Sequence, residues 1–158
     1  WSPSILSSQK VDELVLNIDL APSLLDIAGV SIPEHMQGEN WAPLLEPDGE
    51  GRDGFLYEYY KESDYRPRGG FPGTPTLHAY RTEEWKIVRY PDGDFESELY
   101  HISADPNELY NLVANPEYAG KLAEMSAKLD AQLDEIDYVA PEKIPGGGIT
   151  HQQLYGTH

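Results

Sequence analysis

Between Leu77 and Leu112 the chain alternates between runs rich in aromatic and β-branched residues and short polar breaks, which predicts strands joined in series. Leu77 to Arg81 and Trp85 to Tyr90 are two such runs, separated by Thr82-Glu83-Glu84. Asp92-Gly93 supplies a tight turn, and Glu98 to Ile102 returns antiparallel. Asp105-Pro106-Asn107-Glu108 then reads as a capping box opening a helix. Upstream, Phe55 to Tyr60 is a fourth strand by composition. Downstream, Asn115-Pro116 announces a long helix. Its apolar positions Tyr118, Leu122, Met125, Leu129, Leu133 and Ile136 fall three and four apart, one stripe that packs on a sheet face.

The first fifty residues follow a different pattern. Val11 to Ile18 is apolar without clean alternation, so strand and helix both stay open. Asp19 is placed as an N-cap, with Pro22 inside the tolerated first turn. Leu20, Leu24, Leu25, Ile27 and Ala28 make a short apolar helix that Gly29 stops. So apolar a surface calls for burial against a larger body. Residues 31 to 54 read as loop with one helical turn at Trp41 to Leu45. Lys61 to Thr76, with three Pro and three Gly, is an irregular surface loop. Beyond Ala140, Pro141, Pro145 and Gly146-Gly147-Gly148 mark an extended tail.

Composition narrows the possible functions. The 28 acidic residues against 11 basic ones give a net charge of −17, which repels nucleic acid and suits solubility. No run approaches the ~18 apolar residues of a membrane span, and no secretory signal pattern is present. The absence of cysteine excludes disulfides and thiol chemistry within the chain. An opening Trp1-Ser2-Pro3 without Met is the expectation for a processed or excised piece. Single residues carry little chemistry. His35 reads as a loop residue, His101 as lying on a solvated strand face, and His151 and His158 as a tail pair short of a metal site. Tyr57, Tyr59, Tyr60 and Tyr65 read as core or rim packing, and Asp92, Asp94 and Glu96 as a hydrated turn. Arg81 is expected to be a structural strand-end residue paired with a carboxylate such as Glu83 or Glu84.

The ordered blocks NIDLAPSLLDIAGVSIPEHMQGENWAPLL, FLYEYY, HAYRTEEWKIVRY and ELYHISADPNELYNL resemble the C-terminal portion of a type I, formylglycine-dependent sulfatase of the alkaline-phosphatase superfamily. The resemblance spans roughly residues 11 to 137. It implies an α+β piece: a small antiparallel sheet of about four strands packed by the helix from about Pro116 to Ile136. Residues 1–52 would be the end of the larger α/β catalytic domain, 53–138 the C-terminal subdomain and 139–158 an extended tail. For the whole enzyme it implies hydrolysis of sulfate esters, with formylglycine and Ca²⁺ as cofactors and a periplasmic, secreted or lysosome-like setting. No C/S-x-P-x-R stretch and none of the family's Asp-Asp or Asp-Asn ligand pairs stands in this chain. The chain itself is therefore expected to hold no cofactor and no metal. Its expected partners are the N-terminal catalytic domain and a sulfated small molecule or saccharide, with no nucleic acid and no membrane. The one position the resemblance assigns to substrate is His78, the histidine before the Arg-Thr pair in LHAYRT. The alternative readings are a non-catalytic carbohydrate- or partner-binding module, or a phosphodiester or phosphonate hydrolase of the same superfamily.

Overall fold

The computed structural model describes residues 10–46, 49–61, 74–91 and 95–139, which form two compact units, Trp1–Asp53 and Gly54–His158.

In the first unit, Val11 to Leu16 takes neither regular form and leads into a 3-10 turn at Asn17–Asp19. Helix α1 follows over Leu20–Ile27. It ends as its sequence dictates. Gly29 takes φ +70°, and the N–H groups of Gly29 and Val30 return to the carbonyls of Asp26 and Leu25, both at 2.9 Å. Asp19 does not cap α1 with its side chain. It is buried and serves a longer-range network: Oδ2 accepts from Leu16 N–H at 2.7 Å, and Oδ1 accepts from Glu39 N–H at 2.9 Å and the Arg52 guanidinium at 2.7 Å. Ser23, also buried, donates to the Asp19 carbonyl at 2.6 Å and accepts from Trp41 N–H at 2.9 Å. The expected helical turn appears as a 3-10 turn at Ala42–Leu45. Polar links thus tie this unit together, while Leu20, Leu24 and Ile27 at i, i+4 and i+7 stand about half exposed on α1 (53%, 54% and 50%).

The second unit is an antiparallel sheet of four strands, β1 Phe55–Tyr59, β2 Leu77–Arg81, β3 Trp85–Arg89 and β4 Glu98–His101, ordered β1-β2-β3-β4. The Asp92-Gly93 turn lies outside the described residues. The register sets the two faces, because cross-strand partners share a side of the pleat. Leu56 opposes Tyr80, Tyr80 opposes Ile87 and Ile87 opposes Leu99, a row that faces helix α2 (Ala119–Glu135). Asn115 caps the approach to α2 by accepting from Glu117 N–H at 3.0 Å, and a 3-10 turn at Pro116–Tyr118 precedes the helix. Met125, Leu129 and Leu133 of the stripe close the core over Tyr80, Trp85, Ile87 and Leu99. Ile136, the last residue of the stripe, is instead 50% exposed, because α2 stops at Glu135. The stop has the same geometry as that of α1. Asp137 takes φ 51°, its N–H reaches the Asp134 carbonyl at 3.1 Å, and Tyr138 N–H reaches the Leu133 carbonyl at 2.9 Å.

One expected helix is absent. Asp105-Pro106-Asn107-Glu108 forms a turn, with Glu108 N–H on the Asp105 carbonyl at 3.0 Å and Tyr110 N–H on the Asp105 carboxylate at 2.8 Å. Glu108 sits at φ 53°, a conformation no right-handed helix contains, and its carboxylate pairs with Lys86 on β3. A partner distant in sequence thus overrides a local helix signal.

Candidate functional site

His78 stands on β2 on the same face as Tyr80, directly opposite Glu58 on β1 and Arg89 on β3. Its ring is 1% exposed. The Tyr138 ring meets it edge-on at 4.5 Å and the Tyr60 ring at 5.8 Å. The Glu58 carboxylate lies 3.8 Å from Nε2 and accepts a hydrogen bond from the Tyr60 hydroxyl. Arg89, on the other flank, pairs with Asp130 of α2. An otherwise apolar sheet-helix interface therefore holds one polar corner, built from β1, β2, β3 and the segment just past α2. Burial, followed by the hydrogen bond to Glu58, pushes the Tyr60 phenol well above its ordinary pKa, so it remains a donor across the neutral range. The corner joins a buried imidazole, a carboxylate and two phenols, the groups that orient hydroxyls and anions.

The remaining candidates separate clearly. His35 is exposed, as a loop residue should be. His101 does not lie on a solvated face; its half-buried ring stacks on Trp85 at 4.3 Å. Tyr57 is 52% exposed, while Tyr60 joins the polar corner. Tyr65, His151 and His158 lie outside the described residues. Arg81 pairs with neither Glu83 nor Glu84, both of which are exposed on the β2–β3 turn. Among the described residues no three His, Cys, Asp or Glu side chains converge as metal ligands, so this part of the chain does not fit a Ca²⁺ site. No helix among them is long and apolar enough to cross a membrane. Sequence reasoning did not single out Glu58, Arg89, Asp130 or Tyr138 as neighbours of His78. The signal was the hairpin register, which a connection as long as residues 60–76 conceals.

On the opposite face of the sheet, Glu98 accepts from Tyr90 at 2.7 Å and Tyr100 at 3.0 Å. Burial first, and then this shared carboxylate, push both phenols up to about 12. Their unfolded values lie near ~10. The stability they contribute is thus fully present below about pH 10 and lost as pH rises towards about 12. Tyrosinate absorbance should therefore show two late-titrating groups that Glu98→Gln brings forward by at least half a pH unit. Coincident titration curves would contradict the arrangement.

The comparisons with known proteins agree with this fold. The model of the N-sulphoglucosamine sulphohydrolase C-terminal family matches residues 1–136. An N-acetylglucosamine-6-O-sulfatase of Bacteroides thetaiotaomicron is 31% identical over 137 residues, covering 82% of this chain and 23% of that protein. A solved structure described as in complex with its substrate D-glucosamine-2-N,6-O-disulfate superposes with a TM-score of 0.65 at 30% identity, covering 80% of this chain and 25% of that one. A 2-O glycosaminoglycan sulfatase structure gives a TM-score of 0.64 at 29% identity, covering 80% and 27%. The chain thus spans about a quarter of the length of these relatives. Across its four-stranded sheet, its long C-terminal helix and almost its whole described length, it belongs to the N-sulphoglucosamine sulphohydrolase C-terminal family, the C-terminal portion of sulfatases.

Proposed function

We propose that this chain is the C-terminal region of an enzyme that hydrolyses sulfate esters of a saccharide of the glucosamine type. In this reading residues 53–138 complete the substrate pocket through His78, and residues 1–52 form the end of the catalytic domain and brace it. The observation that carries the pocket role is the polar corner itself. A buried imidazole 3.8 Å from a carboxylate costs desolvation that a hydrocarbon at the same position would avoid. Relatives named for sulfated glucosamine substrates supply the substrate class. The exposed apolar row of α1 supports the bracing role, with the catalytic domain as its cover. The nucleophile and metal of the family lie outside the described residues, and no chemical step is assigned to this chain. Contact between His78 and a saccharide requires the side chains against its ring, Tyr138 foremost, to give way.

The test is sulfate release from 6-O-sulfated N-acetylglucosamine by the full-length protein. A hydrogen bond to a charged group is worth about 1.5–3 kcal/mol, so His78→Ala should lower kcat/KM roughly 10- to 150-fold. His78→Gln, which keeps one donor, should recover part of the loss. A His78→Ala enzyme that folds and stays within twofold of wild type ends the pocket role.

A further inference from the structure

Arg81, the last residue of β2, carries a cation that no carboxylate among the described residues answers. Its side chain is part-buried, and Nε is enclosed without a hydrogen-bond acceptor. The other two described arginines each hold a carboxylate, Arg52 on Asp19 and Arg89 on Asp130. No ion pair among the described residues includes Arg81. Carboxylates are not scarce in a chain with 28 of them to 11 basic residues, and two follow Arg81 directly. The turn keeps those two away. Thr82 N–H bonds the Trp85 carbonyl at 2.8 Å, Trp85 N–H bonds Thr82 Oγ1 at 3.0 Å, and the Glu84 carbonyl accepts from Ile102 N–H at 2.7 Å. Glu83 and Glu84 are thereby held in solvent.

The neighbour across the ladder sharpens the case. Arg81 opposes Lys86 on β3, so two cations share one face at adjacent strand positions. Like charges placed opposite each other repel. Of the described carboxylates on this face, Glu108 goes to Lys86 and is held there by a left-handed backbone, and Glu98 accepts from Tyr90 and Tyr100.

We infer that Arg81 is a docking cation for a carboxylate that the remainder of the protein presents to this face of the sheet. A guanidinium whose Nε edge is enclosed matches an incoming carboxylate end-on, through its two Nη donors to two oxygens. A saccharide sulfate is the poorer occupant. Arg81 and His78 are three residues apart on one strand, on opposite faces, and about 10 Å apart along it, so a sugar held by His78 does not reach Arg81. The inference rests on the reading that the chain is one region of a longer sulfatase.

Thermal unfolding of Arg81→Met decides it, measured in this 158-residue chain and in the full-length protein. Methionine keeps the stem and removes the charge. In this chain the substitution should leave Tm unchanged or raise it, whereas in the full-length protein Tm should fall by roughly 4 °C or more. Arg81→Gln should repeat the pattern, and Arg81→Lys should recover less than half of the full-length loss. An equal fall in both proteins would mean the guanidinium is satisfied within this chain, and an unmoved full-length Tm would mean no carboxylate meets it. Either result overturns the inference. So does stabilisation of the wild-type chain, but not of Arg81→Met, by sulfated glucosamine, which would make the occupant the saccharide. Sulfate release by the wild-type full-length protein is scored separately. Its failure beside a reversed Tm response would remove the enzymatic reading and leave the docking cation standing.

Discussion

Asp19→Ala should cost the first unit about 3–5 kcal/mol, the usual penalty for stripping one partner from a buried ion pair. The Asp19 and Arg52 side chains are 2% and 9% exposed, so the substitution leaves a buried guanidinium with only the largely exposed Glu39 carboxylate, 3.7 Å away, as counter-charge. It also removes the acceptor of two backbone N–H groups, those of Leu16 and Glu39. The contrast within the same unit is Lys10–Asp12, whose side chains are 83% and 74% exposed. A solvated pair of that kind is worth ~0–1 kcal/mol, so Asp12→Ala should be close to silent. Hydrogen exchange reads the difference locally. In Asp19→Ala the Leu16 and Glu39 amides should lose protection while those of β3 keep it. Asp19→Asn, which retains an acceptor oxygen but no charge, should fall between. Unchanged protection at Glu39 would show that the network does not hold the unit.

Leu129→Ala should destabilise the second unit by about 2–5 kcal/mol. Leu129 is fully buried at the centre of the α2 stripe, among Tyr80, Ile87, Leu99 and Met125. Truncation there opens a cavity bounded by a sheet on one side and a helix on the other, two rigid walls that collapse little. A domain of this size is stable by only ~5–15 kcal/mol, so the loss is a large share of the total. The buried Trp85 provides the readout, through urea titration of its fluorescence. Leu109→Ala is the control: at 71% exposure Leu109 contributes little, and the cost should stay within ~0.5 kcal/mol. Equal midpoints for the two variants would place the core elsewhere.

The contrast between these residues marks how far the sequence alone can be read. Strand composition located β2 to the residue and β1, β3 and β4 to within one residue at their C-terminal ends, because apolar runs bounded by turn residues are local properties. The three-and-four spacing also found α2, which starts three residues later than expected, after the 3-10 turn at Pro116–Tyr118, and ends one residue earlier. Asp19 stands at the N-cap position of α1 yet makes no side-chain cap bond there, and Asp105 opens no helix, for one shared reason. Each precedes a plausible first turn, so a local rule makes it a cap. The carboxylate of Asp19 instead serves Glu39 and Arg52, 20 and 33 residues away, and the helix expected after Asp105 is overruled by Lys86, 22 residues from Glu108. The same limit applied to His78 and Arg81. Composition placed both on a strand, but only the register shows that one faces Glu58 under a helix while the other faces Lys86. Ion pairs close in three dimensions, and one-dimensional patterns see them only when they fall within a turn or two.

The plain order β1-β2-β3-β4 has a kinetic consequence. Each strand pairs with its neighbour in the chain, so the sheet can assemble by short loop closures without waiting for distant segments. The closures are unequal. Strands β2 and β3 are joined by Thr82-Glu83-Glu84, whereas residues 60–76 separate β1 from β2. Closure entropy grows with the logarithm of loop length, which makes β1 the strand with the largest ordering cost. That strand brings Glu58, and just past its end Tyr60, to the wall of the polar corner. The environment of His78 is therefore completed by the strand whose loop closure costs the most entropy, so its polar corner carries the largest share of the sheet's ordering cost.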